Sequence, residues 1–206
     1  MSKRDSQIAK LADALRTPDL EDRAEAAAGE LTRRAVDKRL LDVAYANADT
    51  PLGPILVAGT RRGLVRVAFP QEREDDVLFE IAETVSPRVL HSPSRLDEVR
   101  REMDQYFERR RDRFELRLDW RLTRGFYRDV LRATARVPYG ETMSYAEIAA
   151  RAGRPMAFRA AGSALGSNPM PLVVPCHRII ASGGGLGGYG GRLDVKEYLL
   201  RLEGAR

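Results

Sequence analysis

The sequence predicts a small α/β domain with a mainly antiparallel sheet over residues 43–122, followed by a mostly helical domain with a winged-helix-like helix-turn-helix over 123–206. Three observations carry this. Short β-rich runs punctuated by glycine and proline fill the first segment. Amphipathic helical spacing and a capping-box signature mark the second. Charge divides at the same place, since residues 123–206 hold 12 Lys/Arg against 6 Asp/Glu, whereas 51–122 hold 14 of each and 1–50 hold 9 against 10.

At 206 residues, with 43% hydrophobic and 32% charged side chains, the composition is that of a globular chain and excludes disorder throughout. No apolar stretch approaches the ~20 residues that cross a bilayer, and Met1–Lys10 lacks the apolar core of a signal peptide. A cytoplasmic protein without membrane partners is expected. The single cysteine, Cys176, excludes an internal disulfide, and with His91 and His177 as the only histidines there is no Cys/His set for structural zinc. No metal is expected. A basic excess confined to one segment is the footprint of a polyanion-binding surface.

Residues 1–42 read as a helical N-terminal extension: the spacing puts Ile8, Leu11 and Leu15 on one face, and Thr17-Pro18 breaks the run. No chemistry is visible there. Leu52-Gly53-Pro54 is a turn, Ile55 to Ala58 is apolar, and Gly63 separates it from Leu64–Phe69, which reads as a hairpin or meander. His91, beside Pro93 in an expected loop, is expected to be an exposed or locally bonded histidine rather than a metal ligand. From Ser94 to Arg110 a helical stripe runs through Leu96, Val99, Met103, Tyr106 and Phe107, and Phe114–Leu118 then alternates as a final strand.

In the third segment Phe126, Val130 and Leu131 begin a helix that ends at the Val137-Pro138-Tyr139-Gly140 turn. Ser144 and Glu147 have the capping-box spacing, opening a helix from Tyr145 to about Ala152. Gly153 closes it, and Pro155 is expected in the first turn of a third helix running to about Ser167. Helix, short turn, helix in a basic segment is a helix-turn-helix candidate. Small residues (Ala157, Ala160, Ala161, Gly162, Ser163, Ala164) give the third helix a face that admits close approach of a duplex groove or another helix. Arg159 stands among them.

Val174-Pro175-Cys176-His177-Arg178-Ile179 sets the only thiol between a proline and a basic pair, within β-branched residues typical of a buried strand. Cationic surroundings favour the thiolate, the form that attacks carbon. In an extended segment adjacent side chains point to opposite sides, so His177 is expected to reach the thiol through a water, with a carboxylate orienting the ring. The glycine run over 183–191 fits neither a phosphate-binding loop nor a dinucleotide fingerprint, so no nucleotide cofactor is expected. A helix over Val195–Glu203 closes the chain.

These blocks together resemble the O6-alkylguanine-DNA alkyltransferases, also called methylated-DNA protein-cysteine methyltransferases. The resemblance spans about Val43 to Gly204 and rests on Pro138-Tyr139-Gly140-Glu141-Thr142, Ser144-Tyr145, Arg159-Ala160-Ala161-Gly162, Asn168-Pro169, Pro175-Cys176-His177-Arg178, Gly188-Tyr189, and Lys196 through Glu203-Gly204. It implies that Cys176 accepts an alkyl group from O6 of guanine in double-stranded DNA, and by extension from O4 of thymine, once per molecule and after base flipping. His177 would take the thiol proton through a water, oriented by Glu203. Tyr145 would rotate the nucleotide and donate a proton toward the purine. Arg159 would fill the vacated stack, and Arg154 and Ser182 would contact DNA. Asn168 would tie the helix-turn-helix to the active-site strand, while Pro171, Ile179, Tyr189 and Gly190 would line the guanine pocket. Gly190 stands where the family often has a hydroxyl, and Gly166 where a basic residue is common. No cofactor is implied, and a monomer is expected.

The rival within the family is a non-catalytic sensor of alkylated DNA, which would lack the acceptor cysteine. A cysteine hydrolase would need Cys and His from distant positions together with an oxyanion hole. A plain helix-turn-helix regulator leaves the Pro-Cys-His-Arg block unexplained.

Overall fold

Two tight turns fold the β-rich run back on itself. In the computed structural model, which describes Ala27, residues 41–190 and residues 192–206, β1 (Val43–Ala48), β2 (Ile55–Thr60) and β3 (Gly63–Ala68) form an antiparallel meander. A short parallel strand, β4 (Val89–His91), joins β1 and gives the order β3-β2-β1-β4. The extension expected over 1–42 falls almost wholly outside the described residues.

Residues 55–58 of β2 are all buried because both faces of the sheet are covered. On one face α1 (Glu74–Thr84) sets Val77 and Ile81 against Val43, Leu56, Ala58 and Val65. Strand residues of the opposite parity, Ala44, Ala46 and Val57, are buried as well. Leu96 packs so near Gly59 that a Cβ there would stand 3.0 Å from its methyl group. Leu96 leads into α2 (Asp97–Phe107), whose buried stripe is Val99, Glu102, Met103 and Tyr106. Helix α1 was not expected from sequence. It buries only two side chains, and its acidic first turn, Glu74, Asp75 and Asp76, reads as a solvated loop although it suits a helix N-terminus.

Phe114–Leu118, expected as a strand, makes only a single bridge, Leu118 to Leu64. The edge of β3 has no room for more. Leu64 is flanked by the Arg117 carbonyl and the Asp119 amide, and farther along Val67 N–H donates to the Pro169 carbonyl at 2.8 Å. This shared edge joins the sheet to the helical segment, and Asp42–Arg206 form one compact unit. His91 lies in β4 rather than in a loop, its ring 5.3 Å from that of Tyr45.

Beyond the sheet, α3 (Gly125–Thr134), α4 (Tyr145–Arg151) and α5 (Phe158–Gly166) pack through Val130, Leu131, Ile148, Ala149, Ala161, Ala164 and Leu165. The capping box is formed: the Ser144 hydroxyl accepts from Glu147 N–H and the Glu147 carboxylate accepts from Ser144 N–H. Helix α4 ends in a Schellman motif, with Gly153 N–H donating to Ala150 and Arg154 N–H to Ala149. Pro155 does not open the next helix. It occupies the second position of a turn closed by Ala157 N–H on the Arg154 carbonyl, a place that its fixed φ suits, and α5 starts at Phe158. A two-residue parallel pair, β5 (Met143–Ser144) with β6 (Ile179–Ile180), and the last helix, α6 (Leu193–Leu202), complete the described fold. No helix among the described residues is long and apolar enough to cross a membrane.

Candidate active site

Cys176 sits in a 3-10 turn over Cys176–Arg178, not in a strand. Pro175 has no N–H to give a ladder, and its carbonyl accepts from Arg178 N–H, which closes the turn. Successive side chains of such a turn lie about 120° apart, so Cys176 and His177 diverge as they would in a strand. Cys176 is buried, with 6% of the residue exposed. Asn168, just past the end of α5, holds it: its side-chain NH2 group donates to the Val174 carbonyl at 2.8 Å and to the Cys176 Sγ at 3.1 Å, while its oxygen accepts from Met170 N–H. Between them Leu172 is buried with φ +73°, a left-handed backbone that a branched side chain adopts only where its surroundings fix it.

Behind the thiol lies a buried polar hub. Glu203 Oε1 accepts from the Tyr106 hydroxyl at 2.5 Å, from His177 Nε2 at 2.9 Å and from Arg178 at 2.8 Å, and Oε2 accepts a second Arg178 bond at 2.8 Å. Arg178 also donates to the Val137 carbonyl. Desolvation works to raise the Glu203 pKa, but the bonds from His177 and Arg178 prevail and lower it to about 2. An ionised carboxylate only accepts, so His177 must carry its proton on Nε2. Burial drives the His177 pKa below its ordinary value against the pull of Glu203. The ring is therefore neutral at physiological pH, and its buried Nδ1, without a protein partner among the described residues, keeps a free lone pair.

Burial raises the pKa of the Cys176 thiol, and the Asn168 bond and the charge of Lys196 act in the opposite sense. Lys196 is fully buried; its ammonium donates to the Ile179 carbonyl and, at 3.5 Å, to that of Gly188. Desolvation lowers its pKa to about 8. Sequence reasoning passed over Lys196, Arg178 and Tyr106 as site residues. Lys196 carried a signal, since it falls on the same face of α6 as Leu199 and Leu200. Tyr106 gave none, because within α2 it reads as one more apolar position.

A cavity of roughly 830 Å³ opens onto the thiol. Cys176, Asn168, Pro171, Tyr189 and Gly190 line it, together with Phe69 and Arg66 from the sheet domain and Tyr127 and Arg192. Ile179 does not line it; its side chain is fully buried and its carbonyl is occupied by Lys196. The Tyr189 hydroxyl is buried near the thiol, where desolvation and the thiolate charge hold its pKa well above the usual range. Tyr145, at the start of α4, is not among the lining residues. Its hydroxyl accepts from Gly188 N–H at 3.2 Å, which pins the glycine-rich loop to the helix-turn-helix.

The remaining expected residues are spread over the surface. Arg159 is exposed on α5 with its guanidinium 5.7 Å from the Phe158 ring centre, Arg154 is exposed with its guanidinium 5.1 Å from that of Phe126, and Ser182 is exposed in the turn closed by Gly184 N–H on the Ala181 carbonyl.

Two sequence profiles match the chain: 6-O-methylguanine DNA methyltransferase, ribonuclease-like domain, over residues 43–120, and 6-O-methylguanine DNA methyltransferase, DNA binding domain, over residues 125–205. The methylated-DNA protein-cysteine methyltransferase of Methanosarcina barkeri is 38% identical over 160 residues, covering 77% of this chain and 96% of that protein. The constitutive methylated-DNA protein-cysteine methyltransferase of Bacillus subtilis is also 38% identical, over 77% of this chain and 94% of its own. Among solved structures, Mycobacterium tuberculosis OGT in complex with DNA superposes with a TM-score of 0.67 at 34% identity, covering 79% of this chain and 93% of that one. By its sequence along both segments and by its fold, the chain belongs to the methylated-DNA protein-cysteine methyltransferase family.

Proposed function

We propose that this protein repairs DNA by moving an alkyl group from O6 of guanine, or from O4 of thymine, to Cys176 after the damaged nucleotide has been turned out of the duplex. The observation that carries the reading is the arrangement of the single thiol at the wall of a cavity of roughly 830 Å³, held by Asn168, with the neutral His177 backed by an ionised Glu203 behind it. His177 Nδ1 takes the thiol proton through a water. The thiolate attacks the alkyl carbon, an S–C bond forms, and the C–O bond breaks with its electron pair passing to the base oxygen. Tyr145 supplies a proton to the departing purine, and the proton taken up by His177 returns through solvent to the phenolate. A thioether has no group that water readily displaces, so each molecule reacts once. Pro171, Tyr189 and Gly190 hold the base, and Arg159, Arg154 and Ser182 meet the duplex. Turning out a base costs a few kcal/mol, which the basic helix-turn-helix surface offsets. The alternative of a non-catalytic sensor would leave the buried thiol and its hub without a task.

Mass spectrometry after mixing with an O6-methylguanine duplex tests this. One methyl group on the peptide containing Cys176 is expected, with none on Cys176→Ser, which should still bind DNA. Repeated turnover, or a methyl group elsewhere, would refute it.

A further inference from the structure

Two large apolar side chains stand in solvent beside Arg159. Met156 is 87% exposed and Phe158 44% exposed. Met156 occupies the third position of the turn closed by Ala157 N–H on the Arg154 carbonyl, and Phe158 opens α5. The Arg159 guanidinium lies over the Phe158 ring, so the aromatic side chain and the cation form one projecting unit. Residues 148–167 contain three arginines and no acidic residue. An exposed apolar point in a segment with this excess of arginine matches a polyanion with an apolar interior. A duplex has that structure, with phosphates outside and stacked bases within. Proteins that bend or open DNA through the minor groove drive such side chains between base steps.

We propose that Phe158, supported by Met156, is an apolar wedge that enters the duplex next to Arg159 and unstacks the step beside the target nucleotide. Arg159, already over the ring, is carried in with it. The proposal rests on the base-extrusion reading above and adds to it the residue that opens the stack.

Single-turnover methyl transfer is measured from an O6-methylguanine duplex and from the free O6-methylguanine base, with 2-aminopurine beside the lesion in a parallel duplex to report unstacking. Phe158→Ala should be about tenfold slower on the duplex, as expected when part of the unstacking energy is lost, with the free-base rate unchanged and the 2-aminopurine brightening diminished. Phe158→Leu, which keeps apolar bulk, should retain most of the duplex rate. Wild-type behaviour of Phe158→Ala on the duplex, or equal losses on both substrates, would overturn the wedge. A wild-type protein that transfers nothing from either substrate would overturn the repair reading instead. The 2-aminopurine signal then still decides the wedge, which stands if the wild type brightens it more than Phe158→Ala and falls if the two are alike.

Discussion

Glu203 draws a phenol, an imidazole and a guanidinium to one buried carboxylate. Breaking such a pair leaves Arg178 charged and unmatched in the interior, so Glu203→Gln should lower stability by about 3–5 kcal/mol in urea denaturation. The carboxyl pKa is depressed from 4.5 to about 2, so its stabilising contribution is whole above about 4.5 and is lost as pH falls toward 2. Glu203→Gln should remove that stretch of acid sensitivity; an unchanged acid limb would mean that the hub does not govern it. Lys196 acts on the thiol from the other side. Its ammonium lowers the Cys176 pKa against desolvation, so Lys196→Met should move the pH profile of free-base transfer to higher pH. A slower rate with an unmoved profile would show that Lys196 serves packing alone.

At the scale of elements, the glycine-rich loop and α5 do separate work. Gly187 has φ +69°, and a Cβ there would lie 2.6 Å from the Tyr145 hydroxyl. Gly187→Ala should therefore slow transfer from duplex and free base alike by displacing that phenol, at a backbone cost of about 1–2 kcal/mol. Arg159→Ala should slow the duplex reaction far more than the free-base reaction, since a free base has no stack to leave. Equal losses would place Arg159 in the chemistry or in folding. Elements with local signals were legible in the sequence: the capping box at Ser144, the Gly153 stop, and the meander with its glycine and proline turns. Where tertiary contacts decide, the sequence said less. Phe114–Leu118 alternates like a strand, yet Pro169 already occupies part of the edge that it would need. Pro175 and Cys176 sit among strand formers, yet the carbonyl of Pro175 closes a 3-10 turn. The thiol and its imidazole neighbour could be named from one motif, whereas Tyr106, 97 residues from Glu203, could not.

Across the whole molecule, the basic excess of residues 123–206 predicts salt-sensitive DNA binding, with a slope in log affinity against log salt of about −0.9 for each phosphate neutralised. A flat salt titration would contradict it. The two segments are also chemically joined, because α2 of the sheet domain supplies the Tyr106 hydroxyl to Glu203. Tyr106→Phe keeps the ring and removes the donor, and should cost about 1.5–3 kcal/mol of stability, the range for a hydrogen bond to a charged group. Translation adds an order in time to this link. Residues 43–122 leave the ribosome before residues 123–206, since synthesis runs from the amino end. The phenol is thus synthesised before the carboxylate that it will bind. The carboxylate hub is then completed around a phenol that is already present, and a nascent chain whose sheet segment is unfinished lacks one of the bonds that fix Glu203 behind the thiol.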